Sequence, residues 1–95
     1  MTTLDELRTK REQILRLAAK HGVSNVRVFG SVLHGQAGPH SDIDLLVDGL
    51  ENAAWGGGAL LIELEALLGQ RVDLLSPGDL HWLIRDEVLQ EAVPL

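Results

Sequence analysis

Two short motifs in this chain have the residue types and the spacing to handle a phosphate. Gly30-Ser31 is followed, after ten residues, by Asp42-Ile43-Asp44. Glycine has no Cβ, so the backbone at Gly30 can turn sharply and a ligand can approach it closely. Ser31 offers a hydroxyl and a backbone N–H. A helix starting just after it would add the unpaired N–H groups of its first turn, and together these make a phosphate cradle. Asp42 and Asp44 are two apart, so on a strand both carboxylates leave from one face, separated by roughly 6.6–6.8 Å of strand rise. That spacing suits hard divalent cations, which prefer oxygen ligands. Like charges this close repel unless a cation lies between them, which makes the pair an expensive choice for a purely structural strand. Ile43 points the other way and anchors the pair. Asp73 repeats the theme between Val72 and Leu74. If its strand pairs with that of Asp42 and Asp44, the three carboxylates can form one cluster holding two metal ions across a triphosphate. One ion would lower the pKa of an acceptor hydroxyl and the other would stabilise the leaving pyrophosphate. Asp73 can also take the acceptor's proton as general base. Either motif alone is common, Asp-x-Asp on surface strands and Gly-Ser in turns. Their conjunction, with a third strand aspartate downstream, favours function.

The elements that must position these residues can be read along the chain. Thr3 with Glu6 is a capping-box pattern opening a helix in which Leu4, Leu7, Ile14, Leu15 and Ala18 recur at helical spacing, with Gly22 as its stop. Asn25–Phe29 is a β-rich run that breaks at Gly30-Ser31. The stretch from Val32 to Ser41 carries Gly35, Gly38 and Pro39, so part of it is loop. Asp42–Val47 alternates as a second strand, and Asp48-Gly49 is a turn. After Gly56-Gly57-Gly58, a helix with Leu60, Leu61, Leu64, Leu67 and Leu68 on one face ends at Gly69. Arg71–Leu75 is a third strand, stopped by Ser76-Pro77-Gly78. Asp79 to Ala92 is helical through Leu80, Leu83, Ile84, Val88 and Leu89. Alternating elements of this kind predict an α/β (α+β) layer structure, one domain over residues 1–95, with helices packed on a small sheet.

Bulk properties narrow the function classes. There is no cysteine, which excludes disulfides, zinc–thiolate sites and thiol nucleophiles. Net charge is −6, which argues against direct nucleic-acid binding and is compatible with metal ions or a basic protein partner. The start, Met1 to Glu6, has no basic or long apolar region of a signal peptide, and no apolar run is long enough for a bilayer. A cytoplasmic protein without a membrane association is expected.

Gly30-Ser31, Asp42, Asp44 and Asp73 together resemble the signature of the DNA polymerase beta-like nucleotidyltransferase superfamily: Gly-Ser, about ten residues, Asp-x-Asp, then an acidic residue on a later strand. The likeness runs from Val26 to Leu75, and the small size is similar to the minimal nucleotidyltransferase (MNT) group. The resemblance implies a nucleotidyltransferase fold with a small mixed sheet. It also implies ATP as substrate, bound through Gly30 and Ser31, and Mg²⁺, as two ions, on Asp42, Asp44 and Asp73. Members of that group are encoded beside a HEPN-domain protein, a ribonuclease toxin, in a type VII toxin–antitoxin system. The MNT antitoxin adds AMP to a tyrosine of that toxin within a hetero-oligomeric complex.

One stretch departs from the family pattern. Many relatives carry arginines just after Gly-Ser, where this chain has Val32-Leu33-His34-Gly35. Arginine would neutralise phosphate charge, and a protonated His34 does so weakly near neutral pH. The departure keeps open a non-catalytic module that masks its partner stoichiometrically. A small-molecule adenylyltransferase is a further alternative, although such enzymes usually carry an added helical domain for which 95 residues leave no room. His21, His34, His40 and His81 are scattered without zinc-ligand spacing. Trp55 and Trp82 fit packing or an interface better than base stacking. Val88, Leu89, Val93 and Leu95 fit either core or a partner surface.

Overall fold

The computed structural model describes residues 3–36 and 42–95. Gly38, Pro39 and His40, part of the loop expected between the first two strands, lie outside the described residues. Helices α1 (Leu4–Thr9) and α2 (Arg11–Lys20) precede strands β1 (Ser24–Phe29) and β2 (Ile43–Asp48); α3 (Gly58–Leu68), β3 (Val72–Leu75), α4 (Trp82–Glu91) and β4 (Val93–Pro94) follow, with short 3-10 turns at Leu50–Asn52, Ala54–Gly57 and Pro77–Asp79. The strands form one mixed sheet in the order β3-β2-β1-β4. β1 is antiparallel to both its neighbours, and β2 and β3 run parallel. A parallel pair needs a long crossover, and the segment carrying α3 supplies it.

Alternation along β2 sorts its residues onto two faces. Ile43, Leu45 and Val47 are buried on one, where they meet Leu7 of α1, Ile14 and Ala18 of α2, Leu60 and Leu64 of α3, and Val26, Val28 and Val72 of the neighbouring strands. Fully burying each such Leu or Ile contributes about 1.5–3 kcal/mol. Asp42, Asp44 and Leu46 belong to the opposite face. Leu46 is also fully buried but stands outside the main cluster.

Local chemistry explains most boundaries. The Thr3 hydroxyl accepts from the Glu6 N–H, as an N-cap should. Gly69 at φ +65 ends α3. Asn25, at φ +53, sits where β1 bulges between Ser24 and Arg27. Asparagine tolerates that backbone, and its side chain donates to Asp48 at 2.9 Å.

Three elements differ from the sequence reading. The first helix is broken at Lys10, whose ammonium donates to the Leu67 carbonyl at 3.2 Å. No regular helix follows Ser31. Residues 31–35 form consecutive turns, tied by His34 N–H to Gly30 O and Gln36 N–H to Ser31 O. The last helix runs from Trp82 to Glu91 rather than from Asp79 to Ala92, and after it Val93 and Pro94 pair with β1 and Leu95 donates to Val26 O. Proline fits there because an edge strand does not need its N–H. Among the described residues no helix is long and apolar enough to cross a membrane.

Candidate active site

Three strand positions converge at one end of the sheet. Phe29 lies opposite Asp44 across the antiparallel pair, and Asp44 lies beside Asp73 across the parallel pair. Gly30, which ends β1, is thereby carried against the Asp44 side chain. Its φ is +74, and a Cβ there would overlap the Asp44 carboxylate. Glycine is required at this point on both counts. The next backbone N–H, that of Ser31, donates to Asp44. The cradle expected from a helix N-terminus is therefore replaced by a turn whose first N–H already serves a carboxylate.

Asp44 is half-buried, and its pKa is raised to about 6. Burial is the largest cause, followed by the charges of Asp73 and Asp42; the Ser31 N–H works in the other direction. A divalent cation would relieve the first three effects together. Asp42 stands just before β2 and is held by Arg71, which stands just before β3, with Nε to Oδ1 at 3.2 Å. The backbone echoes this contact, since Ile43 N–H donates to Arg71 O. Both side chains are solvent-accessible, so the ion pair is weak.

The donor set fits a hard divalent cation: carboxylate oxygens on adjacent strands, with one carboxylate destabilised by its like-charged neighbours. The cage is not preassembled. Among the described residues no three acidic or histidine side chains are gathered as metal ligands. Asp73 and Asp42 are close enough to perturb Asp44 but do not converge on one point. Arg71 occupies only Oδ1 of Asp42 and holds it weakly, so this pair would not bar a cation from that carboxylate.

The strand pairing anticipated for Asp73 is present, with Asp44 and Asp73 in direct register. Arg71 was missed as a site residue. Its signal was positional: it precedes Asp73 by two residues as Asp42 precedes Asp44, and parallel register then makes the two neighbours. His34, considered as a phosphate partner, bonds Glu91 at 3.2 Å instead. His21 pairs with Glu63, and the His81 ring nitrogen accepts from Leu83 N–H at the start of α4.

Residues 10–95 match the nucleotidyltransferase domain family. The chain belongs to that family. As a nucleotidyltransferase-domain enzyme it is similar over nearly its whole length to the protein adenylyltransferase MntA of Thermococcus cleftensis, at 41% identity over 98% of this chain and 96% of the relative. A solved structure described as a minimal nucleotidyltransferase superposes with a TM-score of 0.81 at 45% identity, covering 99% of this chain and 97% of the other. The fold is also that of a chain in a toxin–antitoxin structure with AMP-PNP, with a TM-score of 0.65 at 23% identity over 87% of this chain and 69% of that one. The small mixed sheet with its helices is thus the minimal nucleotidyltransferase fold.

Proposed function

We propose that this chain transfers AMP from ATP to a hydroxyl of a protein partner, a tyrosine of a HEPN-domain toxin encoded beside it, and acts as that toxin's antitoxin. The observation that carries the reading is Asp44, pressed between Gly30-Ser31 and Asp73 with its proton affinity raised. Such a carboxylate is poorly suited to a bare protein and well suited to a cation. The relative named as a protein adenylyltransferase and the likeness to a toxin–antitoxin chain support the choice of acceptor.

Asp42, Asp44 and Asp73 are the ligands offered to Mg²⁺, which when bound supplies charge neutralisation for the triphosphate and activation of the acceptor hydroxyl. Gly30 keeps the ground beside Asp44 clear of side chain, so the nucleotide phosphates can approach the backbone. Ser31 holds Asp44 in its orientation through the N–H bond and has its hydroxyl for phosphate. Asp73, exposed on β3, takes the proton of the acceptor hydroxyl. The acceptor oxygen forms a bond to the α-phosphorus, the bond from that phosphorus to the β-phosphate oxygen breaks, and pyrophosphate leaves.

The test is the intact mass of the neighbouring gene's protein after incubation with this chain, ATP and Mg²⁺. The expected result is a gain of whole AMP units, absent with Asp42→Ala/Asp44→Ala. The Arg71 contact on Asp42 favours one second reading, a stoichiometric antitoxin that masks its partner without chemistry. It predicts a stable complex, no mass gain, and neutralisation that survives the double substitution.

A further inference from the structure

The far end of the sheet carries the most exposed large apolar side chains among the described residues. Trp55 is 83% exposed, Trp82 72% and Leu83 67%. A cleft of about 260 Å³ lies between their segments, with Leu50 and Gly56 on one wall and Ser76 and Asp79 on the other. Trp55 directly precedes Gly56, and Trp82 opens α4 three residues after Asp79. This is not the carboxylate end: Asp48, which closes β2 here, is about 13 Å along the strand from Asp44.

Both tryptophans are held out by local structure. Trp55 has φ +56 and ψ +36, and Gly56 and Gly57 continue at positive φ. A bulky residue in that backbone state is strained, and its ring gains no burial in return. Trp82 is stacked on His81 with ring centroids 5.8 Å apart and still leaves its indole largely exposed. Exposed tryptophans are the side chains that anchor protein interfaces.

The charge around them selects the occupant. At this end of the sheet Arg27 is already paired with Asp48 at 2.7 Å, and only two of the eight basic residues follow Ser41. Of those two, Arg71 is engaged by Asp42, and Arg85 donates to Leu80 O with its Nε buried. Glu51 and Asp79 line the cleft itself, and Asp86 and Glu87 follow on α4. Asp79 is fixed by Ser76 N–H and Oγ, bonds that hold its carboxyl below the usual range.

We propose that this Trp55–Trp82 surface docks the protein that receives the nucleotide, and that the partner offers it an apolar side chain within a rim of lysine and arginine. The inference rests on the protein-acceptor reading above and adds where the acceptor binds. A second copy of this chain meets acidic groups with acidic groups if the same faces pair. Contact through the basic flank of another copy's α2 is heterologous and would build a ring or a filament rather than a simple dimer.

The test is calorimetric binding of the protein encoded beside this chain to the wild type, to Trp55→Gly/Trp82→Ala, to Glu51→Lys/Glu87→Lys and to Asp44→Asn. The tryptophan variant should weaken Kd about 100-fold or more, without lowering its melting temperature or its affinity for Mg²⁺–ATP. The lysine variant should weaken Kd about tenfold and flatten its salt dependence. Asp44→Asn should leave Kd unchanged. Unchanged Kd in the tryptophan variant overturns the proposal, as does a wild-type chain that dimerises through this face or fails to bind the neighbour. The two readings separate cleanly. Tryptophan-dependent docking without AMP transfer keeps this inference and removes the proposed reaction. AMP transfer that ignores the tryptophans does the reverse.

Discussion

Neighbouring residues of β2 have opposite energetic roles. Ile43, Leu45 and Val47 face the helices and are buried in the main core. Asp42 and Asp44 face the other way, and burial, with the charges of Asp73 and Asp42 behind it, raises the proton affinity of Asp44. One face of the strand supplies stability, and the other spends part of it to keep carboxylates adjacent without a counter-ion. This is the division expected when a rigid strand positions a reactive site.

The largest break in this contrast comes from the core face. Ile43→Ala should lose about 2–5 kcal/mol, seen as a fall in the urea midpoint, with activity lost only through unfolding. Gly30→Ala lies between the faces. Its side chain must adopt positive φ and also meet the Asp44 carboxylate, so a loss of about 2 kcal/mol is expected. Thermal melts measure that loss, and no transfer should remain in the fraction still folded.

Asp44→Asn should go the other way. The folded pKa of Asp44 is about 6, above the 3.8 of an unperturbed aspartate. Its contribution to stability is therefore fully present below about pH 4 and is lost as pH rises through 6. Without metal, Asp44→Asn should raise stability at pH 7 by about 1 kcal/mol after allowance for solvent screening. That is a gain of several degrees in melting temperature. The gain should vanish when both proteins are melted near pH 4. The carboxyls of Glu63 and Asp79 are shifted down, the first by Lys20 and His21 and the second by Ser76, so they act in the opposite direction. Comparing the two proteins cancels them. The smallest effect is Arg71→Ala. Losing an exposed ion pair should change stability by under about 1 kcal/mol, and freeing Asp42 should lower the Mg²⁺ concentration needed for half-maximal transfer.

Much of this contrast was legible in the residues. The alternation of Asp42, Ile43, Asp44 and Leu45 located the strand and both its faces, and the flanking Val72 and Leu74 placed Asp73 on the same side. Strong local signals such as the Thr3 cap and Gly69 survive in the structure because they depend on their own backbone. Features made by tertiary contacts left weaker traces. The break at Lys10 has no glycine or proline to announce it and coincides with a bond to Leu67. β4 is two residues long, too short for any periodicity, and exists because β1 offers an edge. The apolar spacing of α4 is genuine, yet Leu83, Ile84 and Leu89 are exposed, and periodicity alone cannot say whether such a face meets a core or a partner. The turn after Ser31 does not continue as a regular helix because Gly35 stands at φ +69 and Gln36 N–H reaches back to Ser31 O.

The central claim is that the aspartate face of β2 exists for nucleotidyl transfer. The most direct measurement is the initial rate of AMP transfer to the neighbouring protein by Asp44→Asn, at equal folded concentration and saturating Mg²⁺. Losing one ligand of a metal that stabilises the transition state by several kcal/mol should slow transfer about 10³-fold or more, in a protein that melts higher than the wild type when metal-free. Transfer within a few-fold of the wild-type rate would contradict the account and remove Asp44 from the chemistry.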